Sequence, residues 1–78
     1  MSAMFASAAD ADARRKAERL AAALTNAGTP CGVEPRGTLA VLKASPEIVA
    51  RLAEPEIRRA VLAAARAEGF THVAVELA

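Results

Sequence analysis

The sequence is poor in the residue types that build most catalytic and metal sites. Its 78 residues include one cysteine, Cys31, and one histidine, His72. One cysteine cannot form a disulfide within the chain, and these two residues are too few for a Cys/His zinc site. The sequence also lacks a glycine-rich phosphate loop and a Ser/His/Asp arrangement. We therefore expect a protein that is not an enzyme and that uses no metal or cofactor.

Aromatic residues and excess charge are scarce as well. The chain has two phenylalanines and no tryptophan or tyrosine, and ten Lys and Arg nearly balance nine Asp and Glu, for a net charge of +1. Nucleic-acid-binding domains usually carry a basic patch, and single-strand binders stack bases on aromatic side chains. The composition therefore argues against a nucleic acid as partner.

Long apolar runs are missing too. No stretch approaches the roughly 20 apolar residues that span a bilayer, and the N-terminal region lacks the basic and apolar segments of a secretory signal. A lone free cysteine suits a reducing compartment. We expect a cytoplasmic protein that has no membrane partner.

The apolar residues that are present predict a thin core. They make up 54% of the chain, and alanine is the commonest of them. Each alanine removes little area from water, and the free energy of burial follows area at about 25 cal/mol per Å². Small domains with thin cores often gain stability by association. We therefore expect either a homo-oligomer or a complex with a catalytic protein.

The N-terminal part divides into an arm and a helix. Residues 1–8 are interpreted as a flexible arm, and residues 9–78 as a single domain. Apolar residues at spacings of three and four predict a helix over residues 10–27. Gly28 follows as its C-terminal stop.

Two further helices are predicted in the second half of the chain. Ser45 followed by a proline is a strong N-cap signal, and it predicts a short helix over residues 46–52. Pro55 restarts helical geometry, and Gly69 ends the last helix. Phe70 is placed to close over its last turn, as in a Schellman motif.

Three strands complete the prediction. A hairpin is expected from strands over residues 31–34 and 38–44, with Pro35-Arg36-Gly37 as its turn. Alternating apolar residues predict a last strand over residues 71–77.

Alternation also assigns the strand residues to faces. On the last strand Val73, Val75 and Leu77 share one face, and we expect them among the few large core residues. The middle strand is apolar on both faces, with Leu39 and Val41 on one of them. The predicted fold class is α+β, a small three-stranded sheet with two main helices on one face, in the order α-β-β-α-β.

A sheet that is apolar on both faces predicts a partner that covers one of them. Leu39, Val41 and His72 are the candidate interface residues. A catalytic role for His72 as an acid or base would need a nucleophile or another partner beside it, and the sequence offers none. A surface or interface role is therefore favoured. Cys31 follows a helix C-terminus, where the helix dipole does not activate a thiol, so a structural role is favoured.

Four arginines form a candidate anion-binding set, because guanidinium groups suit phosphate and sulfate. They are Arg36 in the predicted turn and, in the helices, Arg51, Arg58 and Arg59. The alternative is a solvated surface with helix ion pairs such as Glu54 with Arg58, and this alternative is favoured.

The order of features over residues 10–78 resembles a known domain. It is similar to the C-terminal domain of the ATP-dependent sacrificial sulfur transferases of the PP-loop superfamily, which serve the nickel-pincer cofactor of lactate racemase. The matching segments, in chain order, are Gly37-Thr38-Leu39-Ala40, Pro46-Glu47-Ile48, Glu54-Pro55-Glu56-Ile57-Arg58, Gly69-Phe70 and the strand from Val73 to Leu77.

The departures from that family are as informative as the matches. The Ser-Gly-Gly loop that binds ATP in the family is missing, as is the family's Gly-Tyr-Arg-Ser-like tail. The family's sacrificial cysteine precedes the first helix of the domain, whereas Pro30-Cys31 follows it, so the sulfur-donor role is not carried over to Cys31.

The resemblance implies a non-catalytic module that stands alone and acts by self-association or by docking on another protein. The alternative is an accessory subunit of a separately encoded ATP-dependent sulfur-transfer enzyme, with its arginines lining an anion site. A thiol carrier that uses Cys31 is the third hypothesis.

Overall fold

The computed structural model describes residues 8–78, with side chains from residue 11 onward. The predicted flexible arm lies outside the described residues, except for Ala8, which begins the first helix. The elements in chain order are α1 (Ala8–Asn26), β1 (Gly32–Arg36), β2 (Leu39–Ala44), α2 (Pro46–Leu52), α3 (Pro55–Ala67) and β3 (His72–Leu77). The predicted α+β class is confirmed, and the short helix over residues 46–52 has the predicted bounds.

The three strands form one mixed sheet in the order β1-β2-β3. β1 and β2 are antiparallel and form a hairpin, whereas β2 and β3 are parallel and are connected through α2 and α3. Parallel neighbours need such a crossover, because a short loop cannot return the chain to the same end of the sheet. β2 is therefore the central strand, and β1 and β3 are the two edges.

The core lies between the helices and one face of the sheet. Ala40, Leu42 and Ala44 of β2 are buried against Leu20 and Leu24 of α1 and against residues of α2 and α3. The predicted alternation is confirmed for β2, because Leu39 and Val41 lie outside this cluster and face away from the helices.

The end of α3 shows how the sequence fixes the step from helix to strand. The Gly69 amide donates to the Arg66 carbonyl at 2.9 Å, and the Phe70 amide donates to the Ala65 carbonyl at 3.0 Å. Gly69 has φ +93°, and Phe70 is buried. These are the two hydrogen bonds of a Schellman motif, with its apolar residue packed back onto the core, as predicted.

The end of α1 repeats the same pattern with a polar residue. The Gly28 amide donates to the Thr25 carbonyl and the Thr29 amide donates to the Leu24 carbonyl. Thr29 is fully buried, and its hydroxyl also donates to the Leu24 carbonyl at 3.2 Å. The one buried polar side chain of the described core is therefore satisfied within the helix stop.

The hairpin turn differs from the prediction. Pro35 and Arg36 belong to β1, and the loop consists of Gly37 and Thr38, because Arg36 pairs with Leu39. Gly37 has φ +59°, as the first loop residue of a tight two-residue hairpin of type II′ requires. Proline is tolerated in β1 because an edge strand needs ladder hydrogen bonds on one side only.

The expectation that Val75 and Leu77 are core residues is wrong. Val75 is 44% exposed and Leu77 is 66% exposed, whereas Val73 is half-buried and packs against the core. All three face the helix side of the sheet, as the alternation predicts, because their partners on β2 are Ala40, Leu42 and Ala44. They lie on an edge strand, and the helices cover the central strand more completely than this edge.

We predict that replacing Gly69 by alanine destabilises the fold by about 1–2 kcal/mol, the usual cost of a left-handed conformation for a residue with a Cβ. The new methyl group would meet only the flexible end of Lys16, so the cost comes from the backbone. Urea unfolding measures the change.

Gly32→Ala is the matched control. Its Cβ would lie 3.7 Å from Cβ of Lys43, an ordinary contact, and Gly32 does not have a positive φ. This substitution should leave the free energy of unfolding unchanged or raise it by up to about 1 kcal/mol. Equal effects of the two substitutions would contradict the assigned role of Gly69.

Candidate functional site

The four arginines of the candidate anion set do not come together. Arg36 lies on β1 with its side chain on the sheet face away from the helices, since its register partner is Leu39. Arg51 lies in the last turn of α2, and Arg58 and Arg59 lie on α3, on the other side of the sheet. An anion held by the helical arginines would therefore not contact Arg36.

The three candidate interface residues do share one surface. Leu39 and His72 are direct register partners, and Val41 follows two residues along β2, so all three lie on the face away from the helices. We call this the outer face of the sheet. Val41 is only 2% exposed, so it offers little contact area. His72 is exposed, and its Nδ1 lies 2.9 Å from the Thr71 hydroxyl.

A charge cluster occupies the rest of the outer face. One carboxylate oxygen of Glu34 lies 2.8 Å from Nζ of Lys43, and the other lies 2.7 Å from Nε of Arg36. Hydrogen bonds from Lys43 and then from Arg36 lower the pKa of Glu34, and Glu34 in turn raises the pKa of each cation. Glu76 of β3 adds a weaker attraction for both cations.

This cluster was not visible in the sequence. Glu34 and Lys43 are not register partners, because Glu34 pairs with Val41 and Lys43 pairs with Gly32. The two side chains meet diagonally, two positions apart, at a distance within reach of long side chains. The signal that could have found them was the hairpin register, which depends on the two-residue loop.

Cys31 has the environment of a structural thiol. It is half-buried, and its Sγ donates to the Thr29 carbonyl at 3.3 Å. Burial raises its pKa. A raised pKa keeps the sulfur in the thiol form, which is a poor nucleophile at neutral pH.

The open edge of β3, the side of this strand that does not pair with β2, is a feature that the sequence analysis did not identify. Among residues 8–78, β3 has β2 on one side and no strand on the other. Val75 and Leu77 are the exposed large hydrophobic residues of the described chain, and both lie on this strand. Periodicity had assigned them to the correct face, but it carries no information on how far the helices extend over that face.

An apolar groove adjoins this edge on the helix side of the sheet. It has a volume of about 120 Å³ and lies between α2, α3 and β3. Leu52, Arg58, Leu62, Val73 and Val75 are among its lining residues. Apolar area therefore continues from the groove onto the exposed part of the strand, toward Leu77.

The backbone of β3 has one satisfied side. The His72 amide donates to the Thr38 carbonyl at 3.3 Å, and the Ala78 amide donates to the Ala44 carbonyl at 2.9 Å. Because strand residues alternate with a period of two, residues of even number direct their backbone groups toward β2. The backbone groups of Val73, Val75 and Leu77 therefore face the open edge.

Other site types find little support among the described residues. Within residues 8–78 no three or more His, Cys, Asp or Glu side chains are grouped so that they could hold a metal ion. In the same range no helix has the length and apolarity needed to cross a membrane.

The comparisons give no relative for this chain. Neither the protein-family models, nor the curated proteins, nor the solved structures contain a match.

We predict that Glu34→Gln lowers thermal stability at neutral pH and low salt. The pKa of Glu34 is lower in the folded than in the unfolded chain, so its ion pairs stabilise the fold above the ordinary glutamate pKa of about 4.3. That contribution is lost as the pH falls through the lowered value. The difference in melting temperature between wild type and variant should therefore shrink in acid, and also in high salt.

Glu18→Gln is the matched control for this measurement. Glu18 is exposed on α1 and has no ion pair within 4.0 Å among the described residues. Its melting temperature should follow the wild type at every pH and salt concentration. A Glu34 variant that behaves in the same way would show that the outer-face cluster contributes nothing to stability.

Proposed function

We propose that this chain is a protein-interaction module that acts through the open edge of β3. The observation that carries the proposal is the exposure of Val75 and Leu77, at 44% and 66%. They lie on a strand whose outer backbone groups have no strand partner within the described part of the chain. A strand added to such an edge gains main-chain hydrogen bonds, and alternate side chains give it specificity.

The contrast between the two edges supports this assignment. Edge strands of monomers are usually protected by prolines, charges or bulges. β1 is protected in this way, because it contains Pro35 and carries Glu34 and Arg36 in an ion-pair cluster. β3 contains no proline, and three of its six residues are aliphatic residues larger than alanine.

The thin core supports association as well. Three leucines, Leu20, Leu24 and Leu42, are the large aliphatic side chains that are fully buried in the described chain. A domain of this size gains stability when its exposed aliphatic residues are covered by a partner.

The family relationship is part of the proposal. We infer that the module corresponds to the C-terminal domain of the PP-loop sulfur transferases and works in the cytoplasm. The ordered segments of the sequence are the support for this relationship. The alternative, an arginine-lined anion site, is weakened because Arg36 lies on the opposite face from the helical arginines.

Sedimentation equilibrium over a wide concentration range tests the proposal. We predict that the wild-type mass rises with concentration, and that Leu77→Asp weakens association by at least about tenfold, because a charge would replace a contacting aliphatic group. Ala63→Asp, at an exposed position of α3, is the matched control and should associate like the wild type.

Two results together would contradict the proposal. One is a wild-type protein that stays monomeric at the highest attainable concentration. The other is a pull-down in which every protein retained by immobilised wild type is also retained by immobilised Leu77→Asp.

A further inference from the structure

We propose that the partner of β3 is β3 of a second copy, paired antiparallel about a twofold axis that passes beside Ala74. This inference depends on the proposed function and names the partner and the register of that same edge. The result would be a continuous six-stranded sheet made of two three-stranded halves.

Backbone geometry permits this pairing. Val73 and Val75 direct their N–H and C=O groups to the open edge, as described above, so they can exchange hydrogen bonds with an added strand. In a register centred on Ala74, Val73 of one copy lies opposite Val75 of the other. Both hydrogen-bonded pairs then consist of residues with free backbone groups, and Ala74 faces its own copy in a pair without hydrogen bonds.

Hydrogen-bond complementarity selects this register. With Ala74 at the centre, His72 lies opposite Glu76 of the second copy, and the twofold axis repeats the pair at the other end. Both residues are exposed and lie on the outer face of the sheet. Nδ1 of His72 lies 2.9 Å from the Thr71 hydroxyl. In the tautomer in which that hydroxyl donates to Nδ1, Nε2 carries the N–H that a carboxylate can accept.

Other twofold registers lack these pairs. A register centred on Val75 places Glu76 opposite Ala74 and leaves His72 opposite Ala78. A register centred on Glu76 places two carboxylates against each other, which is destabilising. Of the three registers, only the one centred on Ala74 places His72 opposite Glu76 at both ends. It also brings Val73 into apolar contact with Val75 on the helix side of the sheet.

The apolar side of the strand agrees with the same arrangement. Val75 is 44% exposed, and a second copy would place the half-buried Val73 beside it. The exposed side of Val75 in each copy is then covered by Val73 of the other copy. Both copies use the same residues, as an isologous interface requires.

Disulfide trapping tests the register. In a Cys31→Ser background, Ala74→Cys should form a covalent dimer rapidly under mild oxidation, because the facing Cα atoms of such a pair lie about 4.5 Å apart. Val75→Cys should crosslink at least about tenfold more slowly, because its copies would be diagonal neighbours about 7–8 Å apart. Ala63→Cys, exposed on α3, measures random collision.

A charge exchange gives an independent readout in the absence of new thiols. His72→Glu should weaken the dimer by about tenfold, because it places two carboxylates opposite each other at both ends. Glu76→Lys should weaken it as well. The double variant places opposite charges against each other at both ends and should associate within about threefold of the wild type. Thermal melting of each variant confirms that it is folded.

Each outcome separates this inference from the proposed function. Rapid trapping of Ala74→Cys together with rescue by the double variant supports the register. Faster trapping of Val75→Cys, or association without rescue, overturns the register and leaves an interaction module. A wild-type protein that is monomeric and shows no trapping above the Ala63→Cys level overturns self-pairing altogether.

Discussion

The pairing of β2 with a strand on each side is the interaction on which the rest of the structure depends. β2 takes its antiparallel partner from a two-residue hairpin and its parallel partner from a crossover through two helices. It supplies Ala40, Leu42 and Ala44 to the core and buries Val41 on the other face. The chain has few large apolar residues, so a core built around one doubly paired strand concentrates burial where the backbone has hydrogen-bonding partners on both sides.

The helix stops make this arrangement possible. Each main helix ends in a Schellman motif, and the residue after the glycine, Thr29 or Phe70, is buried at the helix end. The motif reverses the chain within two residues and so delivers it directly into β1 or β3. The glycines therefore let each main helix end within a few residues of the strand that follows it.

Sequence reasoning found the elements because each depends on local chemistry. Helix periodicity, the Ser45 cap and the alternation in the last strand act within a few residues. The misplaced turn has a different origin, because Pro35 suits both a turn and an edge strand, and only the Arg36–Leu39 pairing decides between them.

The burial of a side chain and its contacts with residues distant in the sequence could not be predicted in the same way. Alternation assigns Val75 to the helix side of the sheet, but its exposure depends on how far the helices extend over an edge strand. The meeting of Glu34 with Lys43 needs the hairpin register, and the separation of Arg36 from the helical arginines needs the layering of helices on one face only. These are properties of the assembled fold, which single positions do not encode.

The unequal protection of the two edges limits what association can build. An open strand edge at both ends of a sheet allows endless addition, and the product is a fibre. Here Pro35 removes one backbone donor from the β1 edge, and the Glu34 cluster places charges beside it. If β3 pairs with its own copy about a twofold axis, each molecule uses the open edge of its described sheet and presents the protected edge of β1. Such a sheet closes at two chains, so the same residues that stabilise the hairpin would also stop its growth.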